Sequence, residues 1–522
     1  MASSDAHHQL AKSAGVFTGA TMISRILGYA RDSMVAHFFG AGAAADAFYA
    51  AFRISNLFRR LLGEGALSAS FIPVFTQYQE TEGKENTQNF LNVMWTVLFI
   101  ILAVLTILGI IFAPQITRLI AMGFEKTPER FALTVTLTRW MFPFLLFISM
   151  AALLTGVLNS FHSFFLPALA PACLSLAEIV YLLTLAPWVP LEKQIMGLAI
   201  SVSIGGFSQF FLHLPALRAK KFSLGFKWDL NHPGLRRVGK LMLPATLGIS
   251  VDQLNAFVDT ICASFLIEGS VTALYYSNRV MQLPLALFGI ALSQVSLPAM
   301  AASVARGQTH EVKETLNFAL RLTLFMIVPA TTGLILLGRP IVQVLFQHGE
   351  FSSQATTLTN QALLYFSLGL FAYASVKILA SAFYAFQNTR IPVIVAGCCV
   401  AINIVLNLLL MKPMGVGGLA LSTATASWVN ATALYLLLRR QLGGLGGFKI
   451  FMTTFKALIA SAAMGVFCHL CLSAMGRVPL ILLVTIAITG GAMVYLASAK
   501  LLHMEEWDPF WAQLARRRRS SP

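Results

Sequence analysis

Charge is scarce in this chain. Asp, Glu, Lys and Arg make up 11% of its 522 residues and 57% are hydrophobic, whereas a soluble domain carries roughly one quarter charged residues. That scarcity excludes a soluble globular domain and an intrinsically disordered segment alike. Cysteine is rare as well. Cys173, Cys262, Cys398, Cys399, Cys468 and Cys471 all fall inside apolar runs, where a thiol behaves as a small apolar group, so nothing points to a disulfide framework. Cys468 and Cys471 form a CxxC without a second pair, which is too little for a zinc site. The sequence contains neither HExxH nor DxD, and no nucleophile-base set stands out in a loop. A short apolar leader with a small-residue cleavage site is also missing, so the N-terminus is expected to stay on the chain.

Apolar length is what the chain has in quantity. A helix needs about 20 apolar residues to cross the hydrocarbon core, and fourteen candidate spans lie near 13–38, 45–75, 89–113, 131–158, 165–187, 195–217, 240–266, 271–300, 318–338, 360–386, 391–411, 416–438, 451–473 and 479–502. The formal charge of +16 is unevenly spread. The connection after the sixth span carries Arg218, Lys220, Lys221, Lys227, Arg236, Arg237 and Lys240 against Asp229, and the tail ends in Arg516 to Arg519. Further basic residues flank other even-numbered connections, among them Arg306, Lys313, Arg390, Arg439 and Arg440. Basic short loops mark the cytoplasmic side, so both termini are expected there. Dispersed at membrane ends, these charges suit anionic lipid headgroups and give no nucleic-acid-binding module.

The chain also repeats itself. Ala47, Tyr49, Arg53, Leu57, Leu61 and Gly63 align with Ala273, Tyr275, Arg279, Leu283, Leu287 and Gly289, and Phe161, Pro167 and Cys173 align with Phe386, Pro392 and Cys398. Spans 1–6 and 7–12 therefore read as two copies of a six-helix unit, and six crossings return the chain to its starting side, so the copies run parallel. The expected fold is an all-α polytopic membrane protein of about 14 helices. The expected divisions are a cytoplasmic N-terminus (1–12), an N-lobe (13–220), a basic linker (221–239), a C-lobe (240–440), two C-terminal helices (451–502) and a basic tail (503–522).

Ionisable residues inside spans are expensive and usually face a partner or a watery cavity. The first two spans hold Arg25, Arg31, Asp32, Asp46, Arg53, Arg59, Arg60 and Glu64, in which arginine outnumbers acid. Part of this set can pair internally, and the excess positive charge asks for an anionic ligand. A diphosphate suits arginine, whose planar fork gives paired, charge-assisted hydrogen bonds. In the second half, Asp252 and Asp259 lie on span 7, Asn403 and Asn407 stand one turn apart on span 11, and Thr423 lies on span 12. Asp259, Asn403, Asn407 and Thr423 form a candidate site for sodium, or Asp259 alone carries a proton; the rival reading is interhelical hydrogen bonding. No other metal or cofactor is called for. Glu178 takes the repeat position of Asn403, or serves as a structural partner of a nearby hydroxyl. His162 and His213 read as isolated interfacial residues.

"SRILGYARD", "GAGAAADAFYAAFRISNLFRRLLGEGALSASFIPVF" and "ALYYSNRVMQLP" together resemble the MviN/MurJ family of bacterial lipid II flippases, in the wider multidrug/oligosaccharidyl-lipid/polysaccharide exporter group. The resemblance implies two six-helix lobes around a central cationic cavity, with the last two helices forming a lipid-facing groove. It implies translocation of undecaprenyl-diphosphate-linked disaccharide-pentapeptide across the inner membrane by alternating access, driven by membrane potential or a cation gradient. The family's functional positions match Ser24, Arg25, Arg31, Asp46, Arg59, Glu64 and Arg279. Arg25, Arg31, Arg59 and Arg279 are then the headgroup cations, and Asp46 and Glu64, with Ser24 and Arg53 in support, serve gating. The chain has Arg53 where some members have lysine, and Asn278 and Gln282 where some have acids. Two other functions stay open. A drug/cation antiporter of the same superfamily predicts acids and aromatics in the first-half cavity; a membrane enzyme acting on polyprenyl phosphates predicts an acidic metal pair or a loop nucleophile.

Overall fold

The computed structural model describes residues 2–60, 66–473 and 478–507. Its helices are α1 (Ala2–Phe39), α2 (Ala43–Phe58), α3 (Ala66–Thr81), α4 (Gly83–Ile111), α5 (Ala113–Ile120), α6 (Pro128–Ser160), α7 (Phe165–Leu169), α8 (Ala172–Val180), α9 (Leu191–Ala219) and α10 (Pro233–Ser264). They continue with α11 (Ser270–Pro284), α12 (Ala291–Ala305), α13 (Thr309–Phe346), α14 (Ser353–Leu368), α15 (Leu370–Ala385), α16 (Arg390–Met414), α17 (Val416–Leu442), α18 (Gly447–Ser473) and α19 (Leu480–Leu501). All fourteen expected spans are helical among the described residues. Eight helices pass on length and hydropathy alone, and α14 with α15 forms a ninth, bent by 44°. The others are charged, as in α1, rich in Ser, Thr and Asn, as in α17, or broken, as where a π-helical turn at Tyr181–Leu185 extends α8.

Packing divides the chain into two compact units, residues 1–272 with 348–351, and residues 273–347 with 352–522. The division falls later than the expected linker at 221–239, because α10 packs against α3 and α5 in the first unit. In the first unit, Phe71, Phe75, Phe90, Leu145, Leu154 and Phe210 bring α3, α4, α6 and α9 together. Among the described residues the second unit shows two centres. Met300, Leu316, Phe383 and Leu434 join α12, α13, α15 and α17, while Phe325, Ala460, Met464 and Tyr495 pack α18 and α19 against α13.

The repeat is visible in the turns. After α6, the amide of Ser163 bonds to the carbonyl of Leu158 and that of His162 to Asn159, with His162 left-handed at φ 55°. After α15, Asn388 bonds to Phe383 and Gln387 to Tyr384, with Gln387 at φ 56°. Both are the same six-to-one, five-to-two helix stop, 225 positions apart.

The linker is an extended strap along the start of α4. Gln88, Asn92 and Thr96 share one face of that helix. The Gln88 amide exchanges hydrogen bonds with the backbone of Ser223 (2.6 and 3.1 Å), Asn92 Oδ1 accepts from the Gly225 amide (2.9 Å), and Thr96 Oγ1 accepts from the Lys227 amide (2.8 Å). The strap's alternate side chains Phe226, Trp228 and Leu230 are exposed. At its end His232 is buried and stacked on Phe90, and its Nδ1 accepts from the Gly234 amide to cap α10 (3.2 Å). Burial holds the imidazole below its usual pKa, with Asp229 opposing and Lys227 adding to the shift.

Candidate functional site

The arginines of α1 and α2 separate into groups with different surroundings. Arg25 is exposed and makes no hydrogen bond or ion pair among the described residues; Ser24 beside it is half-buried. Arg31 is buried. Its Nε and Nη2 donate to Asp32 Oδ1 (3.0 and 2.6 Å), and its Nη1 donates to Glu178 Oε1 on α8 (3.4 Å). Glu178 is therefore the partner of an arginine, not of a hydroxyl. Arg59 directly follows α2, and its Nε is fixed by the amide oxygen of Asn56 one turn back (2.6 Å). Arg53 lines a crevice with Asn56, Arg60, Gln253 and Phe257 whose volume is about 20 Å³, room for little more than a water molecule. Arg60 reaches Gln253 Oε1 across it (3.4 Å). Glu64 and the side chain of Asp252 lie outside the described residues.

Asp46 stands in the first turn of α2, fully buried, at the centre of a second constellation. Its Oδ1 accepts from the amide and hydroxyl of Thr272 (2.8 and 2.6 Å), and its Oδ2 accepts from the Gly269 amide (2.8 Å). These donors open α11, so a foreign carboxylate satisfies amides that a helix start leaves unpaired and meets the positive end of its dipole. Arg130 on α6 completes the site with an ion pair to Oδ2, its guanidinium 3.8 Å from the centre of the Phe124 ring. The geometry demands glycine at 269. Its φ is +86°, and a Cβ there would lie 2.5 Å from the Ala41 carbonyl oxygen.

In the second unit, Arg279 is half-buried on α11, and Asn278 and Gln282 beside it bond to each other. Asn403 and Asn407 are fully buried on α16; Asn403 Nδ2 donates to Thr423 Oγ1 (3.1 Å) and Asn407 Nδ2 to Asn403 Oδ1 (3.1 Å). Asp259 belongs to the first unit and is half-buried on α10. Among the described residues, no group of three or more His, Cys, Asp or Glu could hold a metal ion. His213 is buried, contrary to the interfacial expectation. Its Nδ1 bonds to the Gln209 carbonyl (2.7 Å) and its Nε2 to Thr155 Oγ1 (3.0 Å), so it joins α9 to α6 as a satisfied core residue.

The residues that sequence reasoning missed are Arg130 and the pairing of Glu178. An ionisable group in an apolar run is itself a signal, but neither pairing can be read from sequence, since the partners lie 84 and 147 positions apart.

Known proteins place this architecture. The first unit's arginines and buried acids occur in a fold that matches a solved structure described as "Lipid II flippase MurJ, inward closed conformation", with TM-score 0.79, 27% identity and coverage of 93% of this chain and 98% of that one. An inward-facing multidrug resistance MATE transporter shares the fold at TM-score 0.68 and 15% identity, over 82% of this chain and 98% of that one. Among curated proteins, the lipid II flippase MurJ of Burkholderia cenocepacia is 37% identical over 81% of this chain and 83% of its own. The probable lipid II flippase MurJ of Vibrio cholerae is 35% identical over 83% of each chain. The sequence model of the lipid II flippase MurJ family matches residues 35–488, and the chain belongs to that family.

Proposed function

We propose that this multi-pass membrane protein carries lipid II from the inner to the outer leaflet of the bacterial cytoplasmic membrane by alternating access, without covalent chemistry. The observation that carries the reading is the concentration of arginine on α1 and α2 in a chain of this family, with Arg25 exposed and unpaired among the described residues. Arg25, Arg31, Arg59 and Arg279 bind the diphosphate headgroup. A drug/cation antiporter would call for acids and aromatics where α1 and α2 carry these cations. Asp46, paired with Arg130, and Glu64 serve gating, with Ser24 and Arg53 in support. Cation coupling, by sodium or a proton, is assigned to Asp259 and, as a separately testable group, to Asn403, Asn407 and Thr423. Both termini and the strap at 222–231 face the cytoplasm, and membrane lipids surround the apolar faces.

The test is leaflet accessibility of lipid II in cells depleted of their own flippase and supplied with this protein. A hydrogen bond between charged groups contributes about 1.5–3 kcal/mol, so each of Arg25→Ala, Arg31→Ala, Arg59→Ala and Arg279→Ala should slow export at least tenfold at normal membrane abundance. Full export by all four variants would overturn the headgroup assignment. Asp259→Ala should change the dependence of export on the sodium gradient or the potential, and an unchanged dependence on both removes it from coupling.

A further inference from the structure

The headgroup reading leaves Glu178 without a task. It is 1% exposed, on the last turns of α8 just before the π-helical turn at Tyr181–Leu185, a distortion that often marks working segments of helices. Among the described residues its one ion-pair partner is Arg31, at 3.4 Å. The elements packed on α8 are α1, α9 and that π turn. From α1, Arg31 and Asp32 face Glu178. On α9, Gly197 lies against Tyr181 and Gly205 against Leu174 and Ala177, and the residues between them, Leu198 to Ile204, include no titratable side chain. Tyr181, one turn on, is occupied by donating to the Gln194 carbonyl (2.8 Å). One guanidinium therefore serves two buried carboxylates, Asp32 through Nε and Nη2 and Glu178 through Nη1.

We propose that Glu178 is a positioning residue for Arg31 that exchanges a proton as the headgroup binds: it holds Nη1 of Arg31 when the site is empty, and takes up one proton when the diphosphate claims that donor. The inference rests on the assignment of Arg31 to the headgroup. A phosphate oxygen is the stronger claimant for Nη1 because Glu178 holds that donor only at 3.4 Å, whereas a charge-assisted bond to phosphate closes to about 2.7–2.9 Å. Once Nη1 turns away, an ionised Glu178 stays behind in an apolar pocket with no counter-ion of its own, and uptake of a proton from water removes that cost. Asp32 keeps its own two contacts and its charge. On release of the headgroup, Glu178 gives the proton back to water and recovers Arg31.

Binding that takes up a proton weakens as pH rises. Lipid II itself is the probe, since its diphosphate is esterified at both ends and does not titrate near neutral pH. With the full-length protein in detergent, one linked proton makes Kd rise about tenfold per pH unit over part of the range from about pH 5 to pH 9, where buried glutamates titrate. Glu178→Gln should flatten that dependence, and Glu178→Asp should retain it. Calorimetry of the wild-type protein in two buffers of different ionisation enthalpy gives the same answer without a variant, with about one proton taken up per lipid bound. A wild-type Kd that does not move with pH, zero proton uptake, or an equal slope in Glu178→Gln overturns the inference. The headgroup reading fails separately, if Arg31→Ala binds lipid II as tightly as the wild type.

Discussion

Removing Asp46 tests whether the buried constellation around it is a coupled unit or a set of independent contacts. The carboxylate pairs with Arg130, itself 7% exposed, and accepts three further hydrogen bonds from Gly269 and Thr272. Asp46→Ala strands the guanidinium, a loss of about 3–5 kcal/mol for a buried pair deprived of one partner. It also uncaps α11, worth about 1 kcal/mol more. Arg130→Ala should cost less, about 3 kcal/mol, because the carboxylate keeps its amide and hydroxyl donors. In the double variant no charge is left stranded. Its cost should fall short of the summed single costs by at least about 2 kcal/mol, well beyond the roughly 0.5 kcal/mol within which independent sites add. The assay is reversible denaturation of the purified protein in mixed micelles for the four members of the cycle. Additivity within about 0.5 kcal/mol would refute the reasoning and reduce the pair to two neighbours.

Gly269→Ala places a methyl group 2.5 Å from the Ala41 carbonyl at a φ of +86°. It should destabilise the same corner by a few kcal/mol, seen as a lower midpoint in the same denaturation, and a midpoint equal to wild type would contradict the close approach. Asn92→Ala removes the acceptor of the Gly225 amide and should free the strap, with faster trypsin cleavage at Lys227 in the purified protein; unchanged cleavage would mean that the strap is held elsewhere. His232 supplies a neutral Nδ1 to the α10 cap, and burial keeps its pKa below the usual value. A base depressed in the folded protein contributes stability above the unfolded pKa of about 6.5 and loses it as pH falls further. Protection of the amides of Gly234 to Lys240, taken relative to intrinsic exchange at each pH, should therefore fall on acidification below about pH 6.5. His232→Asn, which keeps an acceptor without titrating, should abolish that loss of protection, and an equal response in both proteins would remove His232 from the effect.

How much of this was legible in sequence follows from range. The fourteen spans are a local property of apolar length, and even α1 reads through its charges. The repeat was legible because its marks are local too: Phe161 and Phe386 precede identical helix stops, with left-handed His162 and Gln387. The linker hid its order. Its lysines dominate the reading, although Phe222, Leu224, Phe226, Trp228 and Leu230 alternate as an extended strand should, and Gln88, Asn92 and Thr96 recur at helical spacing. Pairings were not legible at all. Arg130 lies just before the expected span at 131–158, and only the packing of α6 beside α2 brings it to Asp46.

The repeat also gives the charged cluster its meaning. Glu178 and Asn403 stand at equivalent positions, 225 residues apart, and both are buried. In the first unit that position belongs to a network with Arg31 and Asp32, which carries formal charges. In the second it belongs to amides and a hydroxyl, with Asn407 and Thr423, which carry none. If burial at this position served packing alone, two copies of one unit would have no reason to differ in charge there, since a buried ion pair adds little stability over neutral groups of similar volume. A charge kept at that cost in one copy and absent from the other is what the proposed anion site at Arg31 calls for. The asymmetry thus favours anion recognition at Arg31 over a purely structural role. It makes Glu178→Gln informative in a way that Asn403→Ala is not: the first should change how binding depends on pH, and the second should not.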